Sequence, residues 1–353
     1  MARRMNSQTL LQRSALAVVS LLGLAGCGAE FDPPSELKTL RVLGVQKDKP
    51  YAKPGDDVTV KMLWHDGSDA APRPVIRAFL AGCFNPIGDL YAGCFTSFGD
   101  PANIQFQQGR DEFTFTIPED IISSRPPPPD PKQPRYGLAY LFFAVCAGSE
   151  LTVVEPTAEA GFPLRCLDED GVPLESDDFV AGYSQVYVFE EHTNENPIVS
   201  GFAFRDVEYD AEDALTCVGD ECVLEASAEP TEGVDCDAEP ERCVDRCAED
   251  GDAVECDEHS LHPLIDRASV EPDSVTAAAY GRDYEEQMWV NYYVTRGAVR
   301  SPVRLVNDAT SGFNDDYGTK FYAPKDPGPV RLFAVVHDNR GGMSWSGTTI
   351  WVK

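Results

Sequence analysis

Residues 141–145 read Leu-Phe-Phe-Ala-Val, and residues 332–336 read Leu-Phe-Ala-Val-Val. Both segments are apolar at every position, which is typical of a strand that is buried on both faces. A second motif precedes each segment, because residues 115–120 read FTIPED and residues 321–326 read FYAPKD. Two motifs that recur in the same order indicate that the chain contains two similar structural units.

Two more segments extend this internal repeat. We match residues 57–66 (DVTVKMLWHD) with residues 286–295 (EQMWVNYYVT), because each reads as an early apolar strand that carries a Trp. Residues 185–189 (QVYVF) and 349–352 (TIWV) each end a unit with a short apolar strand, which we expect to pair beside the long one. Strand-like alternation and turn residues dominate the rest of the chain, and helical periodicity is scarce.

The repeat predicts an all-β protein made of two tandem β-sandwiches, since about seven short strands in a unit of roughly 100 residues are typical of that fold. The order of the strands resembles the immunoglobulin-like and PKD-like modules of bacterial surface proteins. In particular, GPVRLFAVVHDNRGG at residues 328–342 resembles the last hairpin of such a module. The resemblance implies an immunoglobulin-like β-sandwich for each unit.

Shifts in composition suggest the domain boundaries. We assign the first immunoglobulin-like domain to residues 37–191, with a proline-rich loop at residues 125–134 (RPPPPDPKQP). A polar linker, residues 192–196 (HTNEN), leads into the second immunoglobulin-like domain, residues 197–353. The insertion in that domain, residues 207–258, is acidic and rich in cysteine, so we expect it to depend on disulfides for its stability.

The N-terminus has the three parts of a secretory signal peptide. Residues 1–13 carry three Arg and no acid, residues 14–25 (SALAVVSLLGLA) are apolar, and small residues stand just before Cys27. The apolar run is shorter than the about 20 residues that a membrane-spanning helix needs. We therefore expect residues 1–26 to be a signal peptide that is removed on export.

The end of this signal, residues 24–27 (LAGC), resembles the lipobox of bacterial lipoproteins. The resemblance implies diacylglycerol and a further acyl chain, such as palmitate, on Cys27, and several chains together anchor a protein firmly. Residues 27–36 would then be a lipidated tether, and Gly28 in place of Asp favours the outer membrane. The whole chain resembles two-domain outer-membrane lipoproteins of myxobacteria, with domains facing the periplasm or the cell surface. The alternative is an ordinary secretory signal followed by an incidental Cys.

The chain contains 11 Cys. If Cys27 is lipidated, the remaining cysteines are even in number, which fits disulfides in an oxidising compartment. Cys83 and Cys94 flank a turn and are expected to pair, which leaves Cys146 to pair with Cys166. The others lie in the insertion, where six cysteines allow fifteen connectivities. These cysteines are Cys217, Cys222, Cys236, Cys243, Cys247 and Cys256.

Two features raise the question of a bound metal. Residues 243–247 (CVDRC) and 259–262 (HSLH) have spacings that zinc ligands use, although a disulfide-rich segment explains the cysteines more simply. Residues 194–197 (NENP) resemble the calcium-binding linkers of cadherins, and calcium prefers several oxygen ligands on loops. Other acidic turns are residues 168–171 and 315–316. We expect no cofactor, and calcium is the one candidate for a bound metal ion.

The charge and the motifs disfavour several classes of function. The chain has 29 Lys and Arg against 59 Asp and Glu, a net charge of −30, and such a field repels nucleic acid. The motifs G-x-S-x-G, H-E-x-x-H, G-x-G-x-x-G and the P-loop do not occur in the sequence. We therefore expect a protein that is not an enzyme and does not bind nucleic acid.

The sequence favours a non-catalytic, lipid-anchored protein of the cell envelope that serves adhesion, envelope assembly or protein–protein interaction. Its partners would be the membrane, through Cys27, and an envelope protein that the sequence does not identify. The alternative is a glycan-binding or carbohydrate-active surface lipoprotein, which needs an exposed aromatic platform. We read Trp64, Trp289 and Trp351 as core residues because they lie within strands, whereas Trp345 fits either the core or a platform.

Overall fold

The computed structural model describes residues 33–87, 90–94, 104–154, 162–210, 217–218, 221–222, 234–248 and 256–353, and of residues 90, 92, 217–218 and 221–222 it describes the backbone alone. The predicted signal peptide, residues 1–26, and Cys27, the predicted lipidation site, lie outside these residues. Within the described part of the chain, no helix is long and apolar enough to cross a membrane. Residues 34–353 form one compact unit, which contains both predicted domains.

In the described part of the first domain, two β-sheets face each other and a hairpin stands apart from them. The strands of this domain are β1 (Leu40–Lys47), β2 (Tyr51–Ala52), β3 (Asp57–Asp66), β4 (Ile76–Phe84), β5 (Gln105–Gln108), β6 (Glu112–Thr116), β7 (Gly137–Cys146), β8 (Glu150–Val153), β9 (Leu164–Leu167) and β10 (Phe179–Val188). One sheet has the order β1-β3-β6 and the other the order β2-β10-β7-β4-β5, while β8 and β9 form a separate hairpin. A short helix, α1 (Ile121–Ser124), follows β6.

The second domain repeats this plan. Its strands are β11 (Val199–Phe204), β12 (Val207–Asp210), β13 (Cys217–Val218), β14 (Glu221–Cys222), β15 (Cys243–Val244), β16 (His259–Ile265), β17 (Met288–Val294), β18 (Ala298–Val299), β19 (Val303–Asp308), β20 (Gly312–Phe313), β21 (Thr319–Tyr322), β22 (Gly328–Asp338) and β23 (Met343–Val352). The sheets have the orders β12-β11-β16-β21-β18 and β15-β23-β22-β17-β19-β20, and β13 pairs with β14.

The two domains correspond strand by strand. The long strands β7 and β22 are central, and each pairs with the closing strand, β10 or β23, as the repeat predicted. In each domain a two-residue strand, β2 or β15, runs parallel to the closing strand. The motif strands β6 and β21 hold equivalent places in the opposite sheets. The chain is therefore all-β and folds as two tandem sandwiches with the strand order of immunoglobulin-like domains.

One match within the repeat is wrong. Residues 57–66 form β3, which lies between β1 and β6, whereas residues 286–295 contain β17, which lies beside the central strand β22. The counterpart of β17 is β4, and the counterpart of β3 is β16. The shared Trp misled the comparison, because an alternating apolar strand with one Trp fits either sheet. Only the hydrogen-bonded ladder distinguishes the two positions.

Both long apolar strands are buried on both faces, but for different reasons. In β7, Leu141 and Val145 face the interior of the sandwich, and Phe142 belongs to a second cluster on the outer face. That outer cluster includes Leu151 and Leu164 of the β8–β9 hairpin and the disulfides Cys83–Cys94 and Cys146–Cys166. These are the two pairs that the sequence suggested. The outer face of β22 is covered by the first domain.

The boundaries of the insertion differ from those expected. Residues 207–210 form β12, which pairs with β11, and residues 243–244 form β15 beside β23, so two parts of the segment belong to the sandwich. Disulfides join Cys236 to Cys243 and Cys247 to Cys256. The backbone places Cys217 opposite Cys222 in the β13–β14 hairpin, and their side chains lie outside the described residues.

Candidate functional site

A buried apolar cluster joins the two sandwiches. Leu37, Leu43 and Leu63 of the first domain pack with Phe333, Val335 and Trp345 of the second. Trp345 is only 2% exposed. Burying a large apolar side chain contributes roughly 1.5–3 kcal/mol, so six such residues hold the domains together firmly. This cluster, which we call the joint, explains why the outer face of β22 is apolar.

The linker is part of the joint. The Asn194 side-chain amide donates a hydrogen bond of 3.1 Å to Oδ2 of Asp338, and Asn194 is 2% exposed. Asn196 donates to the carbonyl of Lys47 at 2.6 Å and accepts from the backbone N–H of Met343 at 2.9 Å. These amides, which the sequence suggested as calcium ligands, therefore bind protein groups from both domains.

The end of the expected tether also contacts the second domain. The backbone N–H of Val294, the last residue of β17, donates to the carbonyl of Ser35 at 2.8 Å, and the N–H of Leu37 donates to the carbonyl of Val294 at 2.9 Å. The segment that precedes β1 is thereby held between the two sandwiches. Residues 35–36, which we expected to be tether, belong to the folded unit instead.

Arg340 forms the polar centre beside the joint. Its Nη2 donates to Glu286 Oε2 and to Glu271 Oε2, both at 2.6 Å, and its Nε donates to Glu286 Oε2 at 3.1 Å. Burial raises the pKa of Glu286 to about 7, although Arg340 opposes that shift. The guanidinium also lies over the ring of Tyr51, 5.8 Å from its centroid. An Arg of the second domain thus contacts an aromatic ring of the first.

Asp338 and Lys47 complete this centre. Oδ1 of Asp338 accepts hydrogen bonds from the N–H groups of Arg340 and Gly342 at 2.7 and 2.8 Å, which shapes the turn between β22 and β23. Lys47 Nζ donates to the carbonyl of Gln185 at 2.9 Å. Burial lowers the pKa of Lys47 to about 8, while the nearby charge of Asp338 acts in the opposite direction. The arrangement is that of a structural polar network between the domains.

A cleft opens next to this network and is lined by both domains. It has a volume of about 370 Å³. Its aromatic side chains are Tyr51, Tyr136, Tyr187, Phe189 and Tyr280. The rings of Tyr51 and Phe189 lie 4.8 Å apart and those of Tyr136 and Tyr187 lie 5.6 Å apart, so the first domain supplies a continuous aromatic wall. We call this site the aromatic cleft.

A short helix of the second domain forms the opposite wall. Helix α2 (Ser274–Tyr280) begins where the Asp273 side chain accepts a hydrogen bond from Thr276 N at 2.9 Å and ends at Gly281, whose φ of +71° suits glycine. Tyr280 stands at the last position of this helix and is 74% exposed. Asp273, Asn339 and Arg340 bring polar groups to the cleft. The site combines stacking surfaces with a few hydrogen-bonding groups, as ligand sites do.

The proline-rich loop packs against the same region. Arg125 lies over the Tyr136 ring, 4.3 Å from its centroid, and donates to the Tyr136 hydroxyl at 3.0 Å. Pro134, at the other end of the loop, lines the aromatic cleft. The proline-rich loop therefore borders the aromatic cleft.

The structure places the other predicted site residues away from this cleft. Trp64 and Trp345 are buried, while Trp289 and Trp351 are half-buried. Because Trp345 lies in the joint, it is not available as a glycan platform.

The structure contradicts a zinc site at residues 243–247 and 259–262. Cys243 and Cys247 are both bonded in disulfides. Among the described residues, no group of three or more His, Cys, Asp or Glu side chains is arranged to hold a metal ion. The same holds for the linker segment, residues 194–197, and for the acidic turns at residues 168–171 and 315–316.

The sequence did not reveal the cleft, because its aromatic residues come from four separate segments of the chain. The available signal was the alternation of Tyr187 and Phe189 at the end of β10, which places two rings on one face.

Comparisons with known proteins add little to this description. No family model matches the chain, and no curated protein matches it. Among solved structures, the FN1–FN3 domains of chicken CNTN1 align over 91% of this chain and 65% of their own, with 8% identity and a TM-score of 0.19. Latent PorU from Porphyromonas gingivalis aligns over 90% of this chain and 24% of its own, with 9% identity and a TM-score of 0.20.

A third similar structure is Escherichia coli alpha-2-macroglobulin, which aligns over 92% of this chain and 22% of its own, with 11% identity and a TM-score of 0.19. The chain thus spans less than two thirds of the length of each of these proteins. Such TM-scores carry no argument about function. The assignment of two immunoglobulin-like β-sandwiches rests on the strand order itself.

Proposed function

We propose that this protein is a non-catalytic lipoprotein of the outer membrane that is anchored through Cys27 and binds a partner protein at the aromatic cleft. The observation that carries the proposal is the exposed Tyr280 beside a wall of aromatic rings, at a junction where the two domains cannot easily separate. Aromatic residues and Arg dominate the energetics of protein interfaces, and sites between domains are frequent binding sites.

The charge of the chain suggests the nature of the partner. With 29 Lys and Arg against 59 Asp and Glu, the protein attracts a basic surface and repels an acidic one. We therefore propose an envelope protein with a basic surface as the partner in adhesion or envelope assembly. The sequence LAGC at residues 24–27, its resemblance to lipoboxes and the preceding signal support the membrane anchor.

A structural role for the buried acids supports a function without catalysis. Glu286 has a pKa of about 7, a value that suits a general acid or base. It is fully buried, however, and two nitrogen atoms of Arg340 hold it. We assign it to the interdomain network rather than to a reaction.

The anchor is tested by comparing the wild type with Cys27→Ala in the native bacterium. Intact mass spectrometry of the wild type should show acyl chains on a chain that starts at residue 27, and thiol labelling before reduction should find no free Cys. The variant should leave the outer-membrane fraction. A wild-type protein without acyl groups, or a variant that stays in the outer membrane, would contradict the anchor.

A second candidate function is glycan binding at the same cleft. The observation that favours it is the set of tyrosine rings next to the polar groups of Asp273 and Asn339, because sugar rings stack on aromatic faces and need hydrogen bonds for their hydroxyls. A glycan array that compares the wild type, Tyr280→Ala and the control Val172→Ala distinguishes glycan binding from protein binding at the cleft. Sugar binding that is lost in Tyr280→Ala and kept in the control supports this function, and an array without signal rejects it.

A further inference from the structure

A second cavity lies within the second domain, at the side where the two sheets of that domain come together. One wall comes from β16 and β21, with His262 and Thr319, and the other comes from β19 and β20, with Arg304 and Phe313. Its volume is about 530 Å³, which lies in the range of small-molecule sites. We call it the basic cavity, for the following reason.

The charge balance of this cavity is the reverse of that of the whole chain. Among the described residues that line it, four carry a cationic side chain and two an acidic one. The cations are Arg267, Arg300, Arg304 and Lys320, and the acids are Asp315 and Asp316. In the whole sequence, acids outnumber Lys and Arg by 59 to 29. Cations are concentrated here although most of the protein carries the opposite charge.

The ion pairs of these Arg residues leave most donors free for a ligand. Arg267 pairs with Asp315, Arg300 Nη1 lies 3.0 Å from Glu258 Oε1, and Arg304 Nη2 lies 3.0 Å from Asp316 Oδ2. The carboxyl side chains of these pairs are 78%, 41% and 90% exposed, so the pairs contribute little to stability and can open. Each guanidinium carries five N–H donors. Lys320 forms no ion pair with any residue that the structure describes.

Aromatic rings give the cavity a stacking surface. Phe313 lies under the guanidinium of Arg267, 4.8 Å from its ring centroid. The ring of Tyr317 stands 5.9 Å from that of His262, and the Tyr317 hydroxyl donates to the carbonyl of Pro263 at 3.1 Å. Tyr317 is therefore fixed in place by the fold, and the wall of the cavity is preorganised.

We infer that the basic cavity binds a compact anionic group, a carboxylate or a phosphate, on a ligand of the size of one or two sugar units. Guanidinium groups recognise both anions through paired hydrogen bonds, and the rings accept the body of the ligand. The net charge of −30 opposes a long polyanion, which favours a single acidic group over a charged polymer. This site is separate from the aromatic cleft and does not depend on what the cleft binds.

The test is a titration of the folded protein, residues 33–353, with four probes at low salt, followed by calorimetry or NMR. The probes are methyl glucuronide, glucose 6-phosphate, inorganic phosphate and the neutral methyl glucoside. We expect binding of at least one of the two acidic sugars with at least tenfold preference over methyl glucoside. A preference for glucuronide identifies a carboxylate ligand, and a preference for glucose 6-phosphate identifies a phosphate ligand.

Variants locate the binding. Arg304→Ala and, independently, Lys320→Ala should each lower the affinity for the preferred acidic sugar about tenfold. Arg304→Lys should recover only part of this lost affinity, because Lys lacks the paired donors of Arg. The exposed Arg165 of the first domain offers a matched control, since Arg165→Ala makes the same change of charge elsewhere and should leave binding unchanged. Equal affinity for the neutral sugar, no binding of either acidic sugar at 20 mM, or equal loss in the control would overturn the inference.

Discussion

The side chain of Asn194 in the linker donates a hydrogen bond of 3.1 Å to Asp338 in the β22–β23 turn, and both residues are buried. A residue that looks like part of a flexible connection therefore holds the second domain against the linker. Together with the apolar joint, this bond makes the two sandwiches one body. The aromatic cleft depends on that arrangement, because its two walls come from different domains.

The linker bond leads to an expectation about proteolysis. Asn194→Ala removes the donor and leaves a carboxylate oxygen of Asp338 buried with one partner fewer, which costs roughly 1–3 kcal/mol. Limited proteolysis should not cut the wild type early between residues 192 and 196, whereas the variant should be cut there. Gln108→Ala, on an exposed edge strand, is the control and should behave as the wild type. Early cleavage of the wild-type linker would show that the domains are not held together in this way.

The Arg340–Glu286 pair should matter for stability in a pH-dependent way. Arg340→Met leaves Glu286 buried without its partner, a change that typically costs about 3–5 kcal/mol. The loss should be smaller at pH 5 than at pH 8, because an unpaired buried carboxyl is easily protonated at pH 5. Urea unfolding of the wild type and of Arg340→Met at both pH values measures this loss of stability. The double variant Glu286→Gln/Arg340→Met should recover part of the loss, and a cost no larger than that of Arg165→Met would refute the role of the pair.

Trp345 tests the apolar joint. Trp345→Ala removes the largest side chain of the joint and should lower the free energy of unfolding by about 3–5 kcal/mol. Because the domains then lose their main contact, unfolding should also separate into two transitions. The exposed residue Val303 provides the comparison, since Val303→Ala should stay within about 0.5 kcal/mol of the wild type. A small effect of Trp345→Ala with a single transition would mean that the joint is not what couples the sandwiches.

His337 gives the fold a defined response to acid. Its ring stacks on Trp289 at 5.2 Å, and burial lowers its pKa to about 4 from the usual 6.5. Between these values the unfolded chain binds a proton that the folded chain does not. The contribution of the neutral His337 ring to the free energy of unfolding is therefore complete above about pH 6.5. It is lost as the pH falls towards 4.

The raised pKa of Glu286 acts in the opposite direction between about pH 4.5 and 7, so the wild type alone does not isolate the effect of His337. The variant His337→Phe keeps a ring on Trp289 and removes the titrating group. Between pH 7 and pH 4.5 the wild type should lose on the order of 2 kcal/mol more stability than this variant. Parallel stability curves for the two proteins would contradict the assignment.

Much of the architecture could be predicted from the sequence, because apolar runs report burial. The segments at residues 141–145 and 332–336 predicted central strands, and both are central. An apolar run does not say what covers its outer face, however. In β7 the cover is the β8–β9 hairpin, and in β22 it is the other domain, so the joint was not predictable.

The site was harder to predict for a similar reason. Tyr51, Tyr136, Tyr187 and Tyr280 meet only after both sandwiches have folded and docked, and no local pattern connects them. The polar linker looked like a spacer or a calcium site because side-chain amides serve equally as ligands and as hydrogen-bonding groups within a protein. Trp345 was ambiguous because its neighbours are small and polar, although its ring lies in the joint.

The proposed partner site can be tested directly by photo-crosslinking in intact cells. A photoreactive phenylalanine analogue replaces Tyr280 in the anchored, full-length protein, and a second version carries it at Val172, which is also exposed but lies in the first domain outside the cleft. The account expects one discrete protein adduct from position 280 that is absent from position 172 and disappears with Cys27→Ala. The same adducts from both positions, or none from position 280, would contradict a binding function of the aromatic cleft.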